Sequence, residues 1–201
     1  MHFQKFLELA GRLSHFDFPA LLKLTGEKKY SLQTHLRRWV ADGRVVSLRR
    51  GLYTVAESFR RGPLSVPGLA DVIYGPSYLS AEWALIHYGL IPGEAGEYTS
   101  VTSRTPRLFQ NPLGTFRYRH VKHELLAAFS RCDVSGGEAF LAEPEKAILD
   151  FLYFSEGEWN ADRHREMGWQ NLELLRGTRW RGLLQLYSDR IRHAADLLVK
   201  P

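Results

Sequence analysis

A single cysteine, Cys132, stands in the 201 residues. No internal disulfide can close, and no cysteine-based zinc centre can be assembled. Such thiol usage suits a reducing compartment, so a cytoplasmic protein is expected. No apolar run approaches the ~20 residues that a membrane-spanning helix needs. The first residues do not read as a secretory leader, because Glu8, Gly11 and Arg12 interrupt their apolar stripe. A soluble chain without a membrane partner is the expectation. Also missing are a phosphate-binding glycine loop, a nucleophile elbow and a dinucleotide fingerprint. Neither clustered carboxylates nor a paired nucleophile takes their place, so no enzymatic activity and no cofactor are expected. His120 and His123 have ligand-like spacing, but they lack a neighbouring cysteine or an HExxH frame, and no metal is expected there.

What is present is unevenly spread. Residues 1–57 hold ten Lys/Arg against five Asp/Glu, whereas residues 58–201 hold seventeen of each. The whole formal charge of +5 therefore lies in the first quarter of the chain. Between Lys28 and Arg50 seven basic residues face one acid, Asp42. A concentration of that kind is the electrostatic footprint of a phosphate-binding surface.

The pattern inside this basic quarter reads as a winged helix-turn-helix. Phe3, Phe6, Leu7, Ala10 and Leu13 make a first amphipathic helix. Asp17 is an N-cap for the next, Pro19 suits its first turn, Phe16 and Leu21 occupy hydrophobic-staple positions, and Gly26 ends it. Leu32, Leu36, Trp39 and Val40 then recur at helical spacing up to Gly43, leaving Tyr30, Thr34, Arg37, Arg38 and Ala41 on the opposite face. Val45–Leu48 and Leu52–Val55 flank Arg49-Arg50-Gly51 as a hairpin with a basic tip. A helix for the major groove beside a hairpin for the backbone is a double-stranded DNA reader. Its expected contacts are Lys28, Lys29, Tyr30 and Ser31 at the start of the helix, and Gln33 and Thr34 on base edges. Arg37, Arg38, Arg49 and Arg50 are expected on phosphates. The plainer reading is a helical hairpin with solvated basic side chains that binds nothing.

Residues 58–68, with Arg60, Arg61, Gly62, Pro63, Pro67 and Gly68, keep no apolar period and read as a linker. It separates a DNA-binding domain, 1–57, from a mixed α/β domain, 69–201, so the fold class expected is α+β. Helical signals at Leu69–Tyr74 are broken by Gly75-Pro76, and Leu79, Trp83, Ile86 and Leu90 recur as a second helix. Strands are expected at Tyr98–Ser103 and Gly114–Val121, the latter with Phe116 and Tyr118 alternating with Arg117 and Arg119. Pro144 opens a helix with Ile148, Leu149, Leu152 and Tyr153 on its apolar face and Lys146–Asp150 as an i,i+4 pair. From Trp169 to Leu198 the chain reads as mostly helical, with Leu184, Tyr187, Ile191, Ala194 and Leu198 in register. Arg104, Arg107, Arg117, Arg119, His120, Lys122 and His123 form a second basic run without an acid. It is either a further nucleic-acid or partner surface, or a strand face compensated in space by Glu94, Glu97 and Glu124.

Several phrases resemble the AbiEi-type antitoxins of bacterial toxin–antitoxin and phage-defence operons: Leu48-Arg49-Arg50-Gly51-Leu52-Tyr53, Tyr78-Leu79-Ser80 with Trp83-Ala84-Leu85 and His87-Tyr88-Gly89-Leu90-Ile91, Val101-Thr102-Ser103-Arg104, Gly114 through Lys122, and Pro144 through Asp150. The matches run in order over roughly residues 20 to 155. Glu143 departs from the small capping residue expected before the last of them. The resemblance implies a cytoplasmic repressor on inverted repeats in the promoter of its own operon. It also implies a C-terminal domain that counteracts a cognate nucleotidyltransferase-like toxin, directly or indirectly. Against it stands a winged-helix regulator whose C-terminal domain senses a ligand.

Overall fold

A computed structural model of the chain describes residues 1–199. The chain enters through α1 (Phe3–Ala10), whose Phe6, Leu7 and Ala10 are buried, and a two-residue strand β1 (Phe16–Asp17). The Asp17 carboxylate accepts the Ala20 N–H at 2.7 Å and starts α2 (Phe18–Thr25), with proline in the first turn and Gly26 in the left-handed conformation at φ 64° as the stop. Cap, proline and glycine all act as expected. After three residues α3 (Lys29–Ala41) begins, and Leu32, Leu36 and Trp39 are its buried positions. Strands β2 (Val45–Arg49) and β3 (Leu52–Val55) follow as an antiparallel hairpin, and β3 also pairs with β1. Phe6, Phe16, Leu21, Leu32, Trp39, Val45 and Val55 share one apolar cluster.

Residues 58–68 carry no regular strand or helix beyond the end of a short 3-10 turn, but they are bonded on both sides. The Arg61 N–H donates to the Gly11 carbonyl at 2.8 Å, and the Ser65 hydroxyl donates to the Val134 carbonyl at 2.6 Å while accepting the Gly68 N–H. The apolar interior divides into two clusters, and the hairpin belongs to both. A register shift between Ser47 and Arg49 lets Leu48 and Leu52 join the second cluster, while Val45 and Val55 stay in the first. The Arg49 Nε donates to the Ile73 carbonyl at 2.7 Å, and the Asn111 amide donates to the Leu48 carbonyl at 3.1 Å. The hairpin is thereby tied to the rest of the chain.

That remainder is a mixed sheet with helices. In chain order it runs α4 (Leu69–Tyr74), β4 (Tyr78–Leu79), α5 (Ala81–His87), β5 (Tyr98–Thr102), β6 (Arg107–Asn111), β7 (Gly114–His120), β8 (Phe129–Asp133) and β9 (Glu138–Ala142). The helices α6 (Pro144–Phe154), α7 (Ala161–Met167), α8 (Gly177–Leu184) and α9 (Asp189–Val199) follow. The strand order is β6-β7-β5-β4-β9-β8, with parallel pairing at β5·β7 and β4·β9. Tyr118, whose hydroxyl donates to the Ala70 carbonyl, marks the sheet face under α4; Tyr78, bonded to Asp150, marks the face under α6. The α+β class stands.

Two local expectations are corrected. Leu79 is not the first turn of a helix: it pairs with Ser100 and Leu141 in the sheet, and α5 begins only at Ala81, which takes φ 50° as the chain swings from strand to helix. Its helical spacing to Trp83 was coincidental. The stretch from Trp169 to Leu198 is mostly helical, as expected, but Leu184, Tyr187 and Ile191 do not lie in one helical register. It breaks at residues 185–188, and Tyr187 fills the break with a buried ring. The strands β6, β8 and β9 carried no expectation.

Candidate nucleic-acid interface

Burial of Leu32, Leu36 and Trp39 fixes which way α3 faces. Residues three, four and seven apart then align on its outer side, and Tyr30, Gln33, Thr34, Arg37 and Ala41 are all exposed there. Tyr30 has 81% of its surface open. The Thr34 hydroxyl donates back to the Tyr30 carbonyl at 3.0 Å, which leaves its methyl and lone pairs outward. Lys28 and Lys29 are exposed at the beginning of the helix. Arg38 is exposed roughly a quarter-turn from the centre of the stripe.

Ser31 is placed differently from its neighbours. It is half-buried and donates to the Glu27 carboxylate at 3.0 Å, with His35 at 3.3 Å on its other side. Hydrogen bonds from the Met1 ammonium and from Ser31 hold the Glu27 carboxyl below the usual range, and burial keeps His35 below its own. Ser31 therefore braces the base of α3.

Between α3 and the hairpin lies an open cleft of about 500 Å³, lined by Gln33, Arg37, Val40, Ser47, Arg50 and Tyr53. Arg37 and Arg50 bring positive charge to its two walls, and neither side chain has a hydrogen-bonding or ion-pairing partner among the described residues. Arg49, adjacent in sequence, is spent otherwise: its Nε serves Ile73 and one Nη the Arg50 carbonyl.

The second basic run does not form one surface. Strand alternation puts Arg117 and Arg119 on the face opposite Phe116 and Tyr118. Arg117 is paired with Glu97 at 2.5 Å, a contact that raises its already high pKa, and Arg119 lies 5.0 Å from the ring centre of Phe154. Arg107 pairs in register with Tyr118 and belongs to the other face. Arg104 sits on the Tyr74 ring at 4.1 Å and donates to the Gly75 carbonyl. With Arg49 these two, Arg104 and Arg107, meet around a cleft of about 620 Å³ beside α4. His120, the last residue of β7, and Lys122 and His123 beyond it are exposed.

The sequence reading also passed over a polar cluster in the interior. Asp150 accepts hydrogen bonds from the Tyr78, Ser80 and Tyr187 hydroxyls at 3.1, 2.7 and 3.1 Å and from the Lys146 ammonium, and Lys146 reaches Tyr187 as well. Lys146 and Asp150 are respectively 1% and 0% exposed. Burial lowers the Lys146 pKa and drives both tyrosines far above their ordinary value. The i,i+4 spacing of the pair was legible; its burial was not, because the residue that covers it, Tyr187, lies 37 residues from Asp150. Five sealed groups hold α6 to the segment before α9, and that is a structural task.

No family model matches the chain, and no curated protein matches it.

Proposed function

We propose that residues 1–57 form a winged helix-turn-helix that binds double-stranded DNA, and that the chain is a transcriptional repressor. One observation carries this reading: the outward stripe of α3 and Arg37 and Arg50, unpaired among the described residues, flank the same open cleft. Helix–strand–helix–helix–strand–strand order, with a three-residue turn containing Gly26 between α2 and α3, supports it. In this reading α3 enters the major groove, Gln33 and Thr34 reach base edges, Tyr30 and the lysines contact the flanking backbone, and a phosphate lies between Arg37 and Arg50. Arg104 and Arg107 extend the positive surface beyond the hairpin. The AbiEi-like phrases supply the rest of the proposal: autoregulation through inverted repeats, and an antitoxin activity of residues 69–201 against a nucleotidyltransferase-like toxin in the cytoplasm.

Anisotropy titrations with the promoter DNA upstream of the coding sequence test the first part. Arg37→Ala together with Arg50→Ala should weaken binding by on the order of tenfold or more, with unchanged thermal stability. Equal affinity would refute the assignment. Relief of growth arrest by the full chain, when the neighbouring toxin is expressed, tests the second part.

A ligand-sensing regulator has one observation of its own. A cleft of about 330 Å³ lies where Ser14 and His15, Ser65, α4 and the β8–β9 hairpin meet, so an occupant there would touch both the second apolar cluster and the connection between α1 and β1. A thermal-shift screen of metabolites checks that reading.

A further inference from the structure

The chain carries no Lys or Arg between Gly62 and Ser103, whereas Asp71, Glu82, Glu94 and Glu97 all fall in that interval. Three of these acids come together. Glu82 on α5 and Glu94 and Glu97 in the loop before β5 rim an open cleft of about 360 Å³. Its floor is apolar: Trp83, 8% exposed, and Ile91, also 8%, with the Trp83 indole stacked on His87 at 5.3 Å. Thr99 lines the same floor. It is 1% exposed, and its hydroxyl has no hydrogen-bonding partner among the described residues. Burying a hydroxyl without a partner is costly, so a donor from the cleft that displaced its thin cover would satisfy this oxygen. Arg117 pairs with Glu97 and also feels the charge of Glu82, while Glu82 and Glu94 stay exposed and without an ion-pair partner among the described residues. Glycines at 93 and 96 flank Glu94, and Gly93 takes φ 122°, a conformation that other residues rarely adopt.

We propose that this cleft docks a basic segment of a partner protein: an arginine or lysine lies over Trp83 between Glu82 and Glu94, donates to the Thr99 hydroxyl, and is flanked by an aliphatic residue on Ile91. The acidic rim repels phosphate, so nucleic acid is excluded from this face. The site requires a cation that also offers apolar surface, which a long basic side chain provides. It is separate from the basic cleft beside α3 and does not rest on DNA binding.

The test uses the full chain and a fluorescein-labelled, acetylated and amidated peptide, Gly-Leu-Arg-Gly-Arg-Leu-Gly, in anisotropy titrations at low salt. Binding should weaken at least tenfold in Glu82→Gln with Glu94→Gln, and a peptide with glutamates in place of the arginines should not bind. Thr99→Val should weaken binding several-fold while leaving the melting temperature unchanged or higher, because it removes an unpartnered buried hydroxyl. In heteronuclear spectra the peptide should shift the Trp83 indole and the amides of residues 93–99, and leave α3 unmoved. Equal affinity for wild type and the double glutamine variant would overturn the proposal, as would shifts confined to other surfaces. A concentration-dependent dimer that the same double variant breaks would also overturn it, by making a second copy of the chain the occupant.

Discussion

Arg37 and Arg50 in the first quarter and Lys146 and Asp150 in the second body are all charged residues on or beside regular elements, yet they have opposite fates. The arginines stand exposed on the walls of a cleft, unpaired among the described residues. The lysine and aspartate are sealed, and every polar atom the pair brings is engaged. The difference teaches that charge density alone does not locate a binding surface. What matters is whether the folded chain has already supplied the counter-charge. By that criterion the basic run from Arg104 to His123 is intermediate: Arg117 has Glu97, Arg104 has the Gly75 carbonyl and the Tyr74 ring, and Arg107 has no polar partner among the described residues.

The largest effect expected from breaking this contrast lies in the interior. Asp150→Ala strands the Lys146 ammonium without its counter-ion and should cost about 3–5 kcal/mol of stability, read by urea unfolding. Replacing both residues, Lys146→Met with Asp150→Leu, should recover much of that loss, because a buried pair and a well-packed apolar pair are often comparable. If the double replacement were as damaging as the single one, the pair would be holding more than itself.

Next comes the exposed side of the contrast. Raising salt from 50 to 200 mM should weaken DNA binding on the order of a hundredfold or more, since several phosphate contacts release several counterions. A flat response would show that the unpaired arginines do not meet phosphates.

A smaller effect separates two neighbours. Arg49→Ala should cost about 1 kcal/mol of stability, because a charge-assisted bond to the Ile73 carbonyl is lost at a partly exposed position. Arg50→Ala should leave stability within about 0.5 kcal/mol and lower DNA affinity instead. Melting curves beside binding titrations read both, and identical profiles for the two variants would erase the distinction drawn between them.

Smallest, and shared by both regions, is an acid loss. Burial holds His15, His35, His87 and His164 below their ordinary pKa of about 6.5. In the unfolded chain these rings take up protons first as pH falls, so the stability they allow is full above that value and is lost as pH drops through the lower folded values. Unfolding midpoints measured from pH 7.5 down to 5 should fall steadily, and a rise would contradict the burial of these rings.

The basic quarter was legible because its signals are local. Asp17, Gly26 and Gly43 punctuate the helices, and the apolar period of α3 is uninterrupted. The sheet was harder to read for reasons of position. The edge strand β8 spells Phe-Ser-Arg-Cys-Asp and is open along most of its length, so it has no alternation to detect. Strand β4 is two residues long and lies next to a helix that borrows its leucine. The α3 stripe was readable up to Ser31, whose inward turn depends on Glu27 and His35 together. The hydrogen bond that occupies Arg49 depends on a carbonyl 24 residues away, which no reading of the hairpin alone contains.

The ties at Leu48, Arg49 and Asn111 reach further than stability. In the proposed complex with DNA, a hairpin fixed to the sheet would give the second body a set azimuth around the duplex axis. Two copies on the proposed inverted repeats would then present their second bodies to each other only at certain phases of the double helix. Inserting about five base pairs, half of the ~10.5 that make one turn, would swing those bodies to opposite sides, and ten would bring them back. The hairpin would thus convert base-pair spacing into the angle at which two molecules meet.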